Sequence, residues 1–253
     1  MMDINQKKTI IFAHRGASAY APENTLQAFR LAVSQGADAF ELDTKLSADR
    51  IPVVIHDFTV DRTTNGTGFV SKMTLAQLKE LDAGTTFDKV FANERIPTLE
   101  EVLDEFGGKV LINIELTNYK SLFDSLPNKV AELIDRMNIP HSNLIISSFN
   151  PIALIKFHRL LPDIFIGLLV SPGKSAYWAT TPLYALVPKN AIHPEQSSVT
   201  RKYIERIHKM NLRVYAYTVN DENRMADFFS WGIDGIFTDN PLKALQILEN
   251  TED

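Results

Sequence analysis

Short apolar runs recur along the whole chain, and most of them are separated by stretches with the apolar spacing of helices. The runs are rich in Ile, Val and Phe, which is typical of strands buried on both faces of a parallel sheet. They are "TIIFAH" at 9–14, "AFELD" at 39–43, "PVVIH" at 52–56, "KVLINIE" at 109–115, "LIISSF" at 144–149, "IFIGLLV" at 164–170, "YALVPK" at 184–189, "RVYAYTV" at 213–219 and "DGIFTD" at 234–239. Helices are predicted at 25–34, 130–137, 152–161, 200–209 and 222–231, with Asn24 as the N-cap of the first. This alternation predicts an α/β fold with right-handed crossovers.

The number of apolar runs exceeds by one the eight strands of a (β/α)₈ barrel. The stretch "ELDTKLSADRIPVVIHD" explains the surplus, because it leaves no room for a helix between its two runs. The polar turn at 47–50 predicts a hairpin there. If Ser47 faces Ile51, His56 returns level with Leu42. We therefore predict a TIM barrel that forms one domain over residues 1–253.

Residues 58–107 fit the barrel pattern least well. They hold "DRTTNGTG", a predicted helix at 75–81 and "IPTLEEVLDEF", with a predicted helix at 99–106. We predict a small insertion at the C-terminal mouth of the barrel, after the hairpin of the second strand. Its phenylalanines are expected to form the core of the insertion, and an apolar substrate entrance is the alternative. These residues are Phe58, Phe69, Phe87 and Phe91.

Composition narrows the functional classes. The 253 residues include 31 acids and 26 bases, giving a net charge of −5, so no nucleic-acid partner is expected. The lack of cysteine excludes disulfides, thiolate zinc sites and cysteine nucleophiles. The first ten residues show no apolar signal core, and no apolar run reaches the length of a membrane span. We expect a cytoplasmic protein without an integral membrane segment; its oligomeric state cannot be predicted.

Acidic residues stand at the predicted carboxyl ends of the strands, where barrels of this kind carry their functional sites. Glu41 and Asp43 are two residues apart on one strand, so both project to the same face. Two adjacent buried carboxylates repel each other, and a divalent cation relieves that cost. Glu115 ends a later strand and could complete the site, with oxygen ligands that suit Mg²⁺, Ca²⁺ or Mn²⁺. The alternative is that these acids form salt bridges inside the barrel.

His14 and His56 also end apolar strands. A histidine pair can hold one acid and one base near neutral pH, although a hydrogen-bonded structural role is the alternative. Arg15 offers a guanidinium fork to a phosphate, or else an ion pair to Glu23 or to a metal-site carboxylate. Together these residues suit metal-assisted attack on a phosphate ester. His193, in "NAIHPE", is left open as a residue that could line the mouth.

Several segments, in the same order, resemble the glycerophosphodiester phosphodiesterase family. They are "AHRGASAYAPENTLQAF", "GADAFELDTKLSADRIPVVIHDFTVDRTTNGTG", "IPTLEEVL", "INIEL", "SSFNP", "YAYTVN" and "GIDGIFTDNP", and they cover nearly the whole chain. The resemblance implies a TIM-barrel hydrolase that cleaves small glycerophosphodiesters, such as glycerophosphocholine or glycerophosphoethanolamine, to sn-glycerol 3-phosphate and an alcohol.

The resemblance also implies roles for individual residues. Glu41, Asp43 and Glu115 would hold one divalent cation, His14 and His56 would be the acid–base pair, and Arg15 would bind the phosphate. A neighbouring glycerol hydroxyl of the substrate would attack phosphorus first, so that a cyclic phosphate forms and is then hydrolysed.

The chain departs from the family pattern at two positions. Thr117 stands where members often carry a lysine, two residues after the third carboxylate, and Lys120 is a possible substitute. Tyr217 replaces a frequent tryptophan and keeps an aromatic platform for the substrate with a hydroxyl added. Neither change affects the proposed metal or acid–base residues.

Three other functions remain as alternatives. A lysophospholipase D-type phosphodiesterase would use an apolar entrance. A barrel aldolase or isomerase would require a base such as a lysine at a strand end, and only Lys189 comes close to that position. The third alternative is a non-catalytic barrel that binds phosphoesters, which the Thr117 departure keeps open.

Overall fold

Eight parallel strands close into a barrel in the computed structural model, which describes residues 9–118, 124–172 and 186–252. The strands are β1 (Ile10–Ala13), β2 (Ala39–Leu46), β4 (Leu111–Leu116), β5 (Leu144–Ser148), β6 (Phe165–Val170), β7 (Ala191–Pro194), β8 (Arg213–Ala216) and β9 (Gly235–Thr238). The barrel closes because β1 pairs with β2 on one side and with β9 on the other. The short strand β3 (Pro52–Val54) runs antiparallel to β2.

Helices follow the strands and cover the outside of the barrel. Within the described residues they are α1 (Leu26–Ser34), α2 (Leu75–Lys79), α3 (Leu99–Phe106), α4 (Leu126–Arg136), α5 (Pro151–Leu160), α6 (Arg201–His208), α7 (Glu222–Ser230) and α8 (Pro241–Glu252). Several of them begin with a capping residue, such as Thr98, whose hydroxyl accepts the Glu101 N–H while the Glu101 carboxylate accepts the Thr98 N–H. None of these helices has both the length and the apolar character required to cross a bilayer.

Alternate strand residues divide the apolar side chains between two cores. Ile11 and Phe40 belong to the large core between the strands and the helices. Phe12 and Tyr215 belong to a smaller core inside the barrel, where their ring centroids lie 5.1 Å apart. Side chains on this inward face that stand nearer the carboxyl ends of the strands reach the mouth, as the barrel architecture requires.

The predicted register of the β2–β3 hairpin is confirmed. Leu46 pairs with Pro52 and Thr44 with Val54, and the Ser47 N–H donates to the Ile51 carbonyl. The Ile55 N–H donates to the Asp43 carbonyl, so the two chains stay in step up to the rim. His56 is thereby brought back beside the end of β2.

The prediction of a strand at 184–189 is wrong. Residues 186–189 are irregular, 184 and 185 lie outside the described residues, and β7 begins at Ala191. The apolar run was a misleading signal because Leu186 is exposed, whereas Ala191 and Ile192 are fully buried between their neighbouring strands. The strand therefore passes through His193, which the sequence left open.

The phenylalanines of residues 58–107 do not form the predicted core of that segment. Phe58, Phe69 and Phe87 are exposed, and Phe91 is half-buried. The small buried cluster there consists of Val53, Ile55, Val60, Val70, Leu78, Ala83 and Ile96. Helix α3 packs with the large core instead, through Leu99, Val102, Leu103 and Phe106.

Candidate active site

Three carboxylates meet at the mouth of the barrel. Glu41 and Asp43 lie on β2, and Glu115 lies directly across from Asp43 in the register between β2 and β4. One oxygen from each can be chosen so that all three lie within 4.8 Å of one another. Glu41 and Asp43 are almost completely buried. The predicted convergence of these residues is therefore found in the structure.

The electrostatics of this group fit a divalent cation. Burial, reinforced by Asp43 and then by Glu115, holds the pKa of Glu41 well above its usual range. Burial and the charge of Asp43 likewise raise the pKa of Glu115. The Glu41 Oε1 atom is buried and has no hydrogen-bond partner among the described residues. Buried carboxylates that repel one another form the kind of site that Mg²⁺, Ca²⁺ or Mn²⁺ occupies in proteins.

His14 follows β1 and is oriented by an aspartate at the end of β9. Its Nδ1 lies 2.7 Å from Asp239 Oδ1. Asn220 donates its side-chain amide to the other oxygen of Asp239 at 2.6 Å and accepts the Asp239 N–H at 3.0 Å. Burial opposes ionisation, but the hydrogen bond and charge of His14, with help from Asn220, lower the pKa of Asp239 to about 2. The ionised carboxylate can only accept, so Nδ1 carries the proton and Nε2 is left for chemistry.

His56 has an aspartate partner of a different kind. Its Nδ1 lies 2.7 Å from Oδ1 of Asp57, the next residue in the chain. Arg62 donates to the other Asp57 oxygen at 2.7 Å. The hydrogen bond from Arg62, followed by that from His56, outweighs burial and lowers the pKa of Asp57 to about 2. The same tautomer argument leaves Nε2 of His56 available.

Arg15 lies between the carboxylates in a left-handed backbone conformation, with φ of 57°. Its backbone N–H donates to Glu41 Oε2 at 3.0 Å, and its Nη1 donates to Glu23 at 2.8 Å. Its Nε lies 3.3 Å from Asp43 Oδ2. Both ion pairs considered for Arg15 in the sequence are therefore present. Both terminal nitrogens of Arg62 also donate to Glu23. Because Arg62 also binds Asp57, it links Arg15 to the His56–Asp57 pair.

The turn that carries His14 and Arg15 requires a glycine. Gly16 has φ of 84°, and a Cβ added there would lie 2.6 Å from the backbone carbon of Ala28 in helix α1. The Ala17 N–H donates to the Ala28 carbonyl at 3.0 Å. Only glycine allows both the backbone angle and this close approach.

The prediction that Asn24 is the N-cap of α1 is wrong. Thr25 takes that position with extended backbone angles, and its hydroxyl accepts the Ala28 N–H. Asn24 has φ of 58°, a left-handed value that asparagine tolerates but an N-cap does not adopt. Its side-chain amide instead donates to Asp43 Oδ2 at 2.9 Å, so Asn24 positions one of the three carboxylates.

The proposed site residues line a pocket of about 250 Å³ at the mouth of the barrel. Its walls include all three carboxylates, both histidines, Arg15 and Tyr217. The Tyr217 hydroxyl donates to the Val170 carbonyl at 2.9 Å, so the ring is held in place by the group that distinguishes it from tryptophan. His193 and Asn113 also line this pocket, and the buried ring nitrogens of His193 have no hydrogen-bond partner.

The remaining sequence candidates lie elsewhere. Lys189 donates to the Val187 carbonyl and is absent from the pocket lining, so the structure gives no support to an aldolase or isomerase. Lys120 lies outside the described residues. Sequence reasoning missed Asp57 and Asp239 as histidine partners and overlooked Lys45, whose spacing of two from Asp43 places it on the same face of β2.

Two histidines and a carboxylate triad line one pocket at the carboxyl ends of the strands, which is where barrel enzymes carry their active sites. The sequence profile described as "Glycerophosphoryl diester phosphodiesterase family" matches residues 14–243. The chain belongs to this family, whose members are hydrolases.

Individual relatives agree with this assignment. A glycerophosphodiester phosphodiesterase from Caldanaerobacter subterraneus subsp. tengcongensis is 40% identical over 235 residues, covering 92% of this chain and 95% of the relative. A phosphodiesterase from Oleispira antarctica, solved in complex with the product sn-glycerol 3-phosphate, matches with a TM-score of 0.85 and 33% identity over 95% of this chain and 96% of that one. A glycerophosphodiester phosphodiesterase from Agrobacterium tumefaciens matches with a TM-score of 0.80 and 32% identity, covering 94% and 99% of the two chains.

Proposed function

We propose that this protein hydrolyses small glycerophosphodiesters, such as glycerophosphocholine or glycerophosphoethanolamine, to sn-glycerol 3-phosphate and an alcohol. The observation that carries the proposal is the pairing of each pocket histidine with an ionised aspartate beside the carboxylate triad. We also propose that the chain forms a single catalytic domain with an insertion at about 58–107. A cytoplasmic location remains a prediction from the sequence.

His14 and His56 are proposed to exchange protons with the substrate through Nε2. One neutral imidazole takes the proton of the neighbouring glycerol hydroxyl, whose oxygen bonds to phosphorus as the bond to the alcohol oxygen breaks. The other histidine, protonated, gives its proton to the departing alcohol. Water then opens the cyclic phosphate with the two roles reversed, which returns both histidines to their starting states.

Glu41, Asp43 and Glu115 are proposed to hold one divalent cation, Mg²⁺, Ca²⁺ or Mn²⁺, which would neutralise charge on the phosphate oxygens. Arg15 contributes positive charge on the same side. Burial lowers its pKa, but Asp43, Glu23 and Glu41 outweigh burial and raise it, so the guanidinium stays charged. Asn24 and the Arg15 N–H fix the orientations of Asp43 and Glu41.

A panel of diesters assayed with each cation and with EDTA tests this function. We expect release of sn-glycerol 3-phosphate, identified by phosphorus NMR, and loss of turnover in EDTA that is restored when the cation is added back. Glu41→Gln with Glu115→Gln should lose both turnover and the response to metal, whereas Glu249→Gln on the distant helix α8 is the matched control. Equal turnover with EDTA and with metal would contradict the role of the triad.

A lysophospholipase D-type activity is the second candidate, and one observation favours it. A cavity of about 410 Å³ adjoins the mouth, with Phe58, Phe69, Val70 and Leu126 among its lining residues. These apolar side chains could receive an acyl chain. Lysophosphatidylcholine therefore belongs in the same substrate panel, and its preference over glycerophosphocholine would favour this second function.

A further inference from the structure

Lys45 occupies the inward face of β2, two residues beyond Asp43. The register between β2 and β4 pairs Asp43 with Glu115 and Thr44 with Leu116, so the next step brings Lys45 beside Thr117. The Lys45 Nζ donates to Thr117 Oγ1 at 2.7 Å, and the Thr117 hydroxyl in turn donates to the Thr44 carbonyl at 2.6 Å. Lys45 therefore forms the next layer of the site, directly outside the carboxylates.

The ammonium of Lys45 is buried without a counter-ion at contact distance. The residue is 6% exposed, and within the described residues Nζ has one hydrogen bond and no carboxylate within 4.0 Å. An ammonium carries three donors, and burying a charge whose donors are unused is costly unless a ligand satisfies them. The Phe58 ring, with its centroid 4.2 Å from Nζ, supplies only a cation–π contact.

The nearby carboxylates act on Lys45 from farther away. Asp43, Glu115 and Asp57 are the carboxylates whose charges reach it. Arg15 differs, because Glu23 accepts its hydrogen bond and Asp43 lies close to it. Of these two cations beside the carboxylate triad, Lys45 is the one that forms no ion pair with a carboxylate of the described residues, whereas Arg15 pairs with Glu23 and Asp43.

Lys45 also stands at the junction between two open spaces. Three chain segments each give one residue to the active-site pocket and, two residues later, one to the adjoining cavity. These pairs are Asp43 and Lys45, His56 and Phe58, and Glu115 and Thr117. A phosphodiester that lies across the carboxylates and extends toward the cavity passes Lys45.

We propose that Lys45 binds a non-bridging phosphate oxygen of the substrate and of the sn-glycerol 3-phosphate product, with Thr117 holding its ammonium in place. This inference rests on the proposed function for the identity of the ligand. It means that the positive charge on this side of the mouth comes from β2, and that Thr117, directly after the end of β4, serves as its neutral partner. A second cation at 117 would face Lys45 directly and would be repelled by it.

Binding of sn-glycerol 3-phosphate and of inorganic phosphate, measured by titration calorimetry with and without divalent cation, tests the proposal. Lys45→Met should weaken binding of both by about tenfold or more, as expected for a lost hydrogen bond to a charged group. Lys45→Gln keeps a partner for Thr117 but removes the charge, so it should lose binding as well. Lys202→Met, on the exposed side of α6, is the control and should bind as the wild type does.

An exchange of the two residues separates anion binding from packing. The double variant Lys45→Thr with Thr117→Lys places the ammonium on the neighbouring strand at the same level of the barrel. We expect it to recover most of the affinity lost in Lys45→Met and to lower KM for the diester toward the wild-type value. Failure of the exchange to recover binding, in a folded protein, would overturn the proposal in favour of a packing role.

The outcomes also distinguish this inference from the proposed function. Unchanged binding within about threefold in both Lys45→Met and Lys45→Gln would overturn the role of Lys45, whatever the activity of the wild type. A wild type that cleaves no diester but binds the product through Lys45 would refute the proposed function and leave this inference standing. Equal losses in Lys45→Met and Lys202→Met would also overturn it, because the effect would then be one of overall charge.

Discussion

The two histidine–aspartate pairs of the pocket look alike at the ring but are supported differently. Asp239 stands at the end of a barrel strand and is held by the neutral side chain of Asn220. Asp57 follows β3 and is held by the charge of Arg62, whose side chain is 49% exposed. One pair is therefore supported by the barrel rim, and the other depends on an ion pair formed by residues after β3. Their responses to mutation and salt should differ accordingly.

Removal of either imidazole is expected to have the largest effect. His14→Ala and His56→Ala should each lower kcat by about 10²–10⁴, which is the usual contribution of a positioned acid or base. Steady-state kinetics on a glycerophosphodiester, with circular dichroism to verify folding, measure the effect. Near-native kcat in both variants would show that the pairs are structural.

Replacing the aspartates should have the next largest effect. Asp239→Asn and Asp57→Asn each present an amide that can donate to the ring, which favours the wrong tautomer and should lower kcat by at least about tenfold. The pH profile of kcat should also shift in both, because the ionised partner no longer stabilises the imidazolium. A lower kcat with an unchanged pH profile would argue against this orienting role.

Replacing the residues that hold the two aspartates should distinguish the two histidine–aspartate pairs. Arg62→Met removes two partly exposed ion pairs, to Asp57 and to Glu23. The Asp57 pair is the one that supports His56 and is worth about 0.2–1 kcal/mol, so kcat/KM should fall by no more than about fivefold. Asn220→Ala removes three hydrogen bonds within the Asp239 group and should cost more. Raising the salt concentration should reproduce part of the Arg62→Met loss in the wild type. A wild type that is insensitive to salt, together with a large Arg62→Met loss, would contradict the comparison.

Acid stability should show the smallest difference. Both aspartates have folded pKa values of about 2, below the value of about 3.9 in an unfolded chain. The stability they contribute is fully present above the unfolded value and is lost as pH falls toward 2. Urea unfolding between pH 6 and pH 2.5 should show a weaker pH dependence for Asp239→Asn than for Asp57→Asn at high salt, since screening reduces the Asp57 contribution. Identical curves for both variants would remove the distinction.

Alternation along strands predicted more of this molecule than any single motif. The period of two placed Glu41 and Asp43 on one face, and the hairpin register was predicted from the turn at 47–50. The predicted strand boundaries were wrong where an apolar residue is exposed, as at Leu186. Asn24 was misread because Asn and Thr both favour helix starts, and only the backbone angle distinguishes them. The partner of His14 could not be predicted, because Asp239 is 225 residues away in the chain. Asp57 directly follows His56 and was overlooked.

The contact between Gly16 and Ala28 leaves no spare volume beneath the first loop of the mouth. The size of the side chain at position 28 therefore sets how far His14 and Arg15 stand from the axis of α1. A valine there should displace both functional groups at once, although position 28 lies outside the pocket lining. A small side chain on the outer helix is therefore part of what positions the active site.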